Sequence, residues 1–215
     1  MNKLCIYCGV RRAVEPDHVP PKCFFPIPRP SKLITVPSCR ECNSNFSKDD
    51  ERIRNLITSL ESTEDHPAIK NQLGDKRYRS LFRERGITNL DHLINSLMTK
   101  DRYSDGGIYL ETAPAFNLDQ PLMDRFFNRT SRALLYHENS IGYVNCTVEW
   151  RIAPNFSRME NIPDDIKKFL SYGKLRIIGD NIFYYVAWFR PQEVNSLWIL
   201  GFYDGVDFIT RARAS

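Results

Sequence analysis

An α+β architecture follows from three features of the chain: a cysteine-rich head, a middle stretch with helical periodicity, and a C-terminal part built of short β-rich runs. The head holds two Cys-x-x-Cys pairs, Cys5/Cys8 and Cys39/Cys42, separated by residues 9–38. Apolar residues then recur at i, i+3, i+4 and i+7, the period of an amphipathic helix. Beyond residue 143 they gather in β-branched and aromatic runs punctuated by turn residues. The expected organisation is a zinc-stapled module over 1–60, a helical segment over 61–104, and a mainly antiparallel α+β accessory domain over 105–215.

At 215 residues, with 42% hydrophobic and 12% aromatic side chains, the chain can fill a core, which excludes disorder as the default state. No apolar run is long enough to cross a bilayer, and the N-terminus reaches Cys5 without a basic-then-apolar leader, so a cytoplasmic protein with no membrane partner is expected. In that reducing compartment six cysteines are poor material for disulfides, whereas close pairs suit a metal. Cys23 and Cys146 are left as free thiols. A net charge of +4 is compatible with a nucleic-acid partner without requiring one.

Gly9 permits a tight turn after Cys8, and a second knuckle lies at Cys39 and Cys42. Four thiolates hold zinc tetrahedrally and leave no open position, so Cys5, Cys8, Cys39 and Cys42 are expected to bind a structural zinc; the alternative is two unrelated pairs in a reduced core. The stretch between the knuckles is longer than that of a simple zinc ribbon and carries Asp17-His18 among prolines at 16, 20, 21, 26, 28, 30 and 37. Proline fixes φ and cannot donate to a ladder, so only short edge strands are expected, around 15–19 and 32–36.

This order of residues resembles the HNH, or ββα-metal, endonuclease family: Cys-x-x-Cys, then Asp-His on the first strand of a hairpin, then Cys-x-x-Cys followed by Asn on a helix. The resemblance is to the branch whose final residue is Asn, as in phage junction-resolving enzymes, and covers about the first fifty residues. It implies that His18 is the general base and that Asp17 and Asn43 hold a catalytic divalent cation such as Mg²⁺. It also implies that the helix bearing Asn43 starts near Cys39. The family's middle Asn has no counterpart, since residues 19–42 contain no Asn; Ser31, Thr35, Ser38 or a backbone carbonyl is left to brace the imidazole.

The chemistry suits these roles. An imidazole titrating near neutrality can take a proton from water, and a hard cation on one carboxylate and one amide oxygen can stabilise the charge that develops on a phosphodiester. Adjacent strand residues point to opposite faces, so Asp17 and His18 share a site only if the strand twists or bulges. Lys22 and Lys48 are candidates for phosphate contact.

Ser47 and Asp50 resemble a capping box ahead of Ile53, Leu56, Ile57 and Leu60. Residues 70–85 interleave Lys70, Lys76, Arg77, Arg79, Arg83 and Arg85 with Tyr78, Leu81 and Phe82, which reads either as a phosphate-tracking surface or as a solvated helix face. Leu90, Leu93, Ile94 and Leu97 mark another helix, and Asp105-Gly106-Gly107 a boundary. Next come a strand at 108–112 and a helix at 120–136, whose Arg125, Arg129 and Arg132 form a basic stripe or a solvent face. Strands are expected at 144–152, 175–178, 182–189 and 197–203, with a hairpin turn at Gly179-Asp180-Asn181. The aromatic residues from Phe183 to Tyr203 are assigned to the core rather than to base stacking.

The functional expectation is a metal-dependent HNH endonuclease, a hydrolase acting on DNA, in phage defence or restriction. The alternative is a catalytically inactive zinc-bearing module that binds nucleic acid or protein. The same chemistry on RNA is a third reading, and a protein partner or a homodimer stays open.

Overall fold

The computed structural model of the chain describes residues 3–83, 86–104, 106–143, 145–156 and 162–215. Among the residues marked out above, Arg85, Asp105 and Val144 lie outside these. The protein is a mixed α+β fold with helices, antiparallel sheets and a four-cysteine cluster near the N-terminus. No helix among the described residues is long and apolar enough to cross a membrane.

The N-terminal part runs strand, strand, helix. β1 (Glu15–Val19) pairs antiparallel with β2 (Ile34–Ser38), with Asp17 opposite Val36 and His18 opposite Thr35. The second strand falls two residues later than expected, which brings Ser38 opposite Glu15 and delivers Cys39 directly to the helix. α1 (Arg40–Ile57) is continuous, so Ser47 does not cap a helix; its hydroxyl lies inside one and donates to the Ser44 carbonyl. The cap is Cys39, whose sulfur accepts from the Cys42 amide.

Short α2 (Glu61–Glu64) and a π-helical stretch at Ile69–Leu73 lead into α3 (Gly74–Phe82) and α4 (Ile87–Ser96). β3 (Leu97–Tyr103) and β4 (Tyr109–Phe116) then form a separate two-stranded ribbon, so the helical middle ends at Ser96, earlier than expected. Every residue of β3 is exposed, so burial imposes no alternating apolar pattern from which the strand could be read.

α5 (Gln120–Asn139) is capped by Asp119, whose carboxylate accepts from the Leu122 amide. It packs between the N-terminal part and the large sheet, touching α1, β1 and β2 on one side and β5 and β9 on the other. The sheet consists of β5 (Cys146–Ala153), β6 (Lys174–Ile178), β7 (Phe183–Phe189), β8 (Ser196–Phe202) and β9 (Val206–Ala214), antiparallel in the order β5-β9-β8-β7-β6. α6 (Asp164–Ser171) precedes β6 and buries no residue.

One apolar core runs through both halves. Phe24, from the loop after β1, stacks near Phe126 of α5, Phe202 of β8 and Tyr203, and the buried Tyr203 hydroxyl donates to the Phe24 carbonyl at 2.7 Å. Phe183, Tyr184, Tyr185, Trp198, Phe202 and Tyr203 are buried, as assigned from sequence, whereas Trp188 and Phe189 are half-buried. The head and the C-terminal sheet thus share a single packed interior, and the loop following Asp17-His18 is part of it.

Candidate functional site

The four thiols come together first. The sulfurs of Cys5, Cys8, Cys39 and Cys42 all lie within 4.8 Å of one another. A tetrahedral zinc with bonds of about 2.3 Å requires sulfurs roughly 3.8 Å apart, so the donor set fits that ion with only a small contraction. The knuckle is shaped for it: Gly9 takes φ +66° and donates its amide to the Cys5 carbonyl, while the Ile6 amide reaches the Pro37 carbonyl and ties the knuckle to β2. Cys23 and Cys146 lie outside the cluster as free thiols.

Beside this cluster an open cleft of about 470 Å³ is lined by Asp17, His18, Lys22, Asn43, Asp50 and Arg129, among others. The structure therefore gathers the three residues singled out by sequence, His18, Asp17 and Asn43, and adds two that sequence reasoning missed. Lys22 lines the cleft; exposed Lys48 does not.

His18 and Asp17 alternate across β1 without a bulge, so Asp17 is buried while His18 stays partly exposed on the cleft wall. Among the described residues the imidazole makes no hydrogen bond, so none of Ser31, Thr35 and Ser38 braces it there. Partial burial and the nearby charge of Lys22 hold its pKa below the ordinary value, against the opposing pull of Asp17. Neutral imidazole, the form that accepts a proton, is therefore favoured.

Asp17 is held tightly. Its carboxylate takes a two-pronged bond from Arg129 of α5, Nη2 to Oδ1 at 2.6 Å and Nε to Oδ2 at 2.9 Å, and a further bond from the Tyr7 hydroxyl to Oδ2 at 2.5 Å. The same guanidinium binds Asp50 Oδ1 through Nη1 and lies 4.3 Å over the ring of Phe46. Burial pushes the Asp50 carboxyl up to about 7, even with Arg129 pulling the other way. Asn43 sits in the first turns of α1, where its amide nitrogen donates to Glu15 Oε2 at 3.0 Å; Arg40 shares that carboxylate at 3.2 Å.

The arginine stripe of α5 is thus divided: Arg129 is buried and Arg132 half-buried, while Arg125 stays on the solvent side in an ion pair. Arg129 is 4% exposed and bridges two carboxylates, Arg125 pairs with Asp49 at 2.7 Å, and Arg132 reaches the carbonyls of Tyr7 and Cys146. The spacing correctly places them on one helix face, but that face packs against the head. Tyr7 left no local signal, and Asp50 and Arg129 were legible only as a cap partner and a stripe member, because Arg129 meets Asp17 across 112 positions of sequence. His66 has a structural role, with Nε2 3.1 Å from the Asp180 carbonyl oxygen and Nδ1 accepting from the Ala68 amide.

Comparison with protein-family models, with curated proteins and with solved structures finds no match to this chain.

Proposed function

We propose that the cleft hydrolyses phosphodiester bonds in nucleic acid, DNA first, with His18 as general base, and that the head is an HNH-type nuclease module held by structural zinc. The observation that carries this reading is an uncommitted, partly buried imidazole in an open cleft with Asp17, Asn43 and Lys22, on a strand–strand–helix unit next to four clustered thiols. Zinc, held by those four thiolates, would cross-link the N-terminal knuckle to α1 as a structural ion.

His18 takes the proton of the attacking water, a task suited to an imidazole kept neutral near physiological pH. The Lys22 ammonium offsets the charge of the phosphate. Asp50, held up at about 7, keeps its proton over part of the neutral range and can give it to the leaving 3′-oxygen. By the resemblance, the products are 5′-phosphate and 3′-hydroxyl ends. A setting in phage defence or restriction belongs to the same reading.

As it stands, Asp17 does not fit a divalent cation such as Mg²⁺. Both Asp17 oxygens are engaged by a guanidinium in direct contact, which opposes a second cation, whereas Asn43 commits only its amide nitrogen, to Glu15, and its oxygen is left to ligate alone. No step above therefore passes through a cation. The engagement of Asp17 also favours a second reading, a zinc-bearing module that binds nucleic acid or a protein without cleaving.

The deciding assay follows supercoiled plasmid to nicked and linear forms, with added Mg²⁺ or Mn²⁺ and in buffer scrubbed of free divalent cations. Wild type is compared with His18→Ala. Cleavage lost in the variant supports the nuclease reading, and dependence on added cation means that a cation enters the reaction. No cleavage by folded, zinc-bound wild type on DNA or RNA supports the binding module.

A further inference from the structure

A second concave surface lies on the other side of the loop that forms the cleft's edge. α3 presents Tyr78 and Phe82 outward, 62% and 58% exposed, one helical turn apart with ring centroids 4.6 Å from each other. They border a pocket of about 600 Å³ whose charged lining is Arg54, Lys76, Arg79 and Arg83 against the single carboxylate Glu51. That carboxylate is already answered by Arg83, whose Nη2 reaches both of its oxygens at 2.9 Å, and by the Ser80 hydroxyl. Arg79 is exposed and makes no ion pair among the described residues. The surface is therefore cationic and aromatic at once, whereas Arg129 of α5 is buried between two carboxylates and Arg125 is paired with Asp49.

Its position relative to the cleft is fixed by direct bonds. Lys76 Nζ donates to the Cys23 carbonyl at 3.1 Å, and Cys23 lines the cleft next to Lys22. Gln72, just before α3, holds Ile27 through both its backbone groups, at 2.8 and 2.7 Å. On α1, Asp50 faces the cleft and the following residue, Glu51, faces the α3 pocket. Lys76 therefore borders the α3 pocket while holding the backbone of Cys23 in the cleft wall.

We propose that the α3 surface binds an unpaired strand of nucleic acid, its bases stacking on Tyr78 and Phe82 and its phosphates meeting Arg79 and Lys76. In a duplex the base faces are covered by their neighbours, so exposed rings have nothing to stack on; an unpaired strand offers flat faces and phosphates together. An acidic protein segment would satisfy the cations but would leave the rings without a flat partner. The inference deepens the nuclease reading and rests on it for the strand's path, but not for the binding itself.

The test therefore measures binding without cleavage. A labelled oligothymidine and a duplex of the same length are titrated by fluorescence anisotropy onto full-length zinc-bound His18→Ala, with and without Tyr78→Ala and Phe82→Ala; thermal unfolding confirms that each variant is folded. The expected result is tighter binding of the single strand than of the duplex, weakened by roughly tenfold for each ring removed, with duplex binding little changed. Arg79→Glu should also weaken binding and flatten its salt dependence by about one unit of log–log slope. Equal affinity for the ring-deleted and parent proteins overturns the proposal. So does a ring deletion that turns a dimer into a monomer without altering oligonucleotide affinity, since the rings would then serve a second copy. Loss of plasmid cleavage plays no part in this outcome, so failure of the nuclease reading and failure of the α3 surface are separable.

Discussion

Replacing Arg129 with Met removes the charge that joins two buried carboxylates while keeping an apolar stem against Phe46. Asp17 and Asp50 are 3% and 8% exposed, so water cannot take over. Breaking such a buried cluster by deleting one partner costs about 3–5 kcal/mol, because the remaining charges stay desolvated. In a chain of this size 1 kcal/mol moves Tm by about 2–4 °C, so a fall of roughly 6–20 °C is expected at pH 8. The loss should depend on pH in a fixed direction. Asp50 is held at about 7 against an ordinary 3.8, so between those values the folded chain keeps a proton that the unfolded chain releases. Stability from this group therefore declines as pH rises through that window. Without the guanidinium, which pulls Asp50 down, the window extends further up. Acidification then neutralises Asp50 and relieves part of the strain, so the deficit at pH 6 should be smaller than at pH 8. Thermal unfolding followed by circular dichroism, with zinc in the buffer, reads both values. Arg129→Lys should fall between wild type and Met, because one ammonium cannot reproduce the two-pronged bond to Asp17. A Met variant that melts within about 1 °C of wild type, or one with the same deficit at both pH values, would refute this account of the cluster.

Other outcomes follow from the same geometry. Tyr7→Phe should cost about 1.5–3 kcal/mol, the worth of a hydrogen bond to a charged group, measured by urea unfolding. Cys42→Ser should lower bound zinc, read by native mass spectrometry, and destabilise the N-terminal knuckle and α1 together, because the ion would join them. Plasmid cleavage should trace a narrow bell against pH: it rises as His18 loses its proton below the ordinary imidazole value and falls as Asp50 loses its own near 7, and Asp50→Asn should remove the falling limb. A rate that keeps climbing past pH 8 in wild type would exclude Asp50 as the acid. Gly9→Ala should weaken zinc retention, because φ +66° disfavours a side chain and its Cβ would stand 2.5 Å from the ring of Tyr143.

Features that depend on a few neighbouring residues were legible in the chain. The Cys-x-x-Cys pairs become one cluster, Asp180 and Asn181 take the positive φ values that the hairpin turn demands, and the apolar period of residues 120–136 becomes α5. Elements that bury little left less trace: α6 has no buried residue and β3 is exposed throughout, and hydrophobic periodicity is a record of burial. His18, Asp17 and Asn43 could be picked out by type and order, but their state could not. Tertiary packing turned an arginine of the α5 stripe onto Asp17 and Asp50, left His18 without a hydrogen-bond partner among the described residues, and set α3 beside the cleft through Lys76 and Cys23. Whether a carboxylate is open to a cation or closed by a guanidinium depends on which distant segment the fold lays against it. Local pattern carries no information about that contact, because its energy arises only when both groups leave water together.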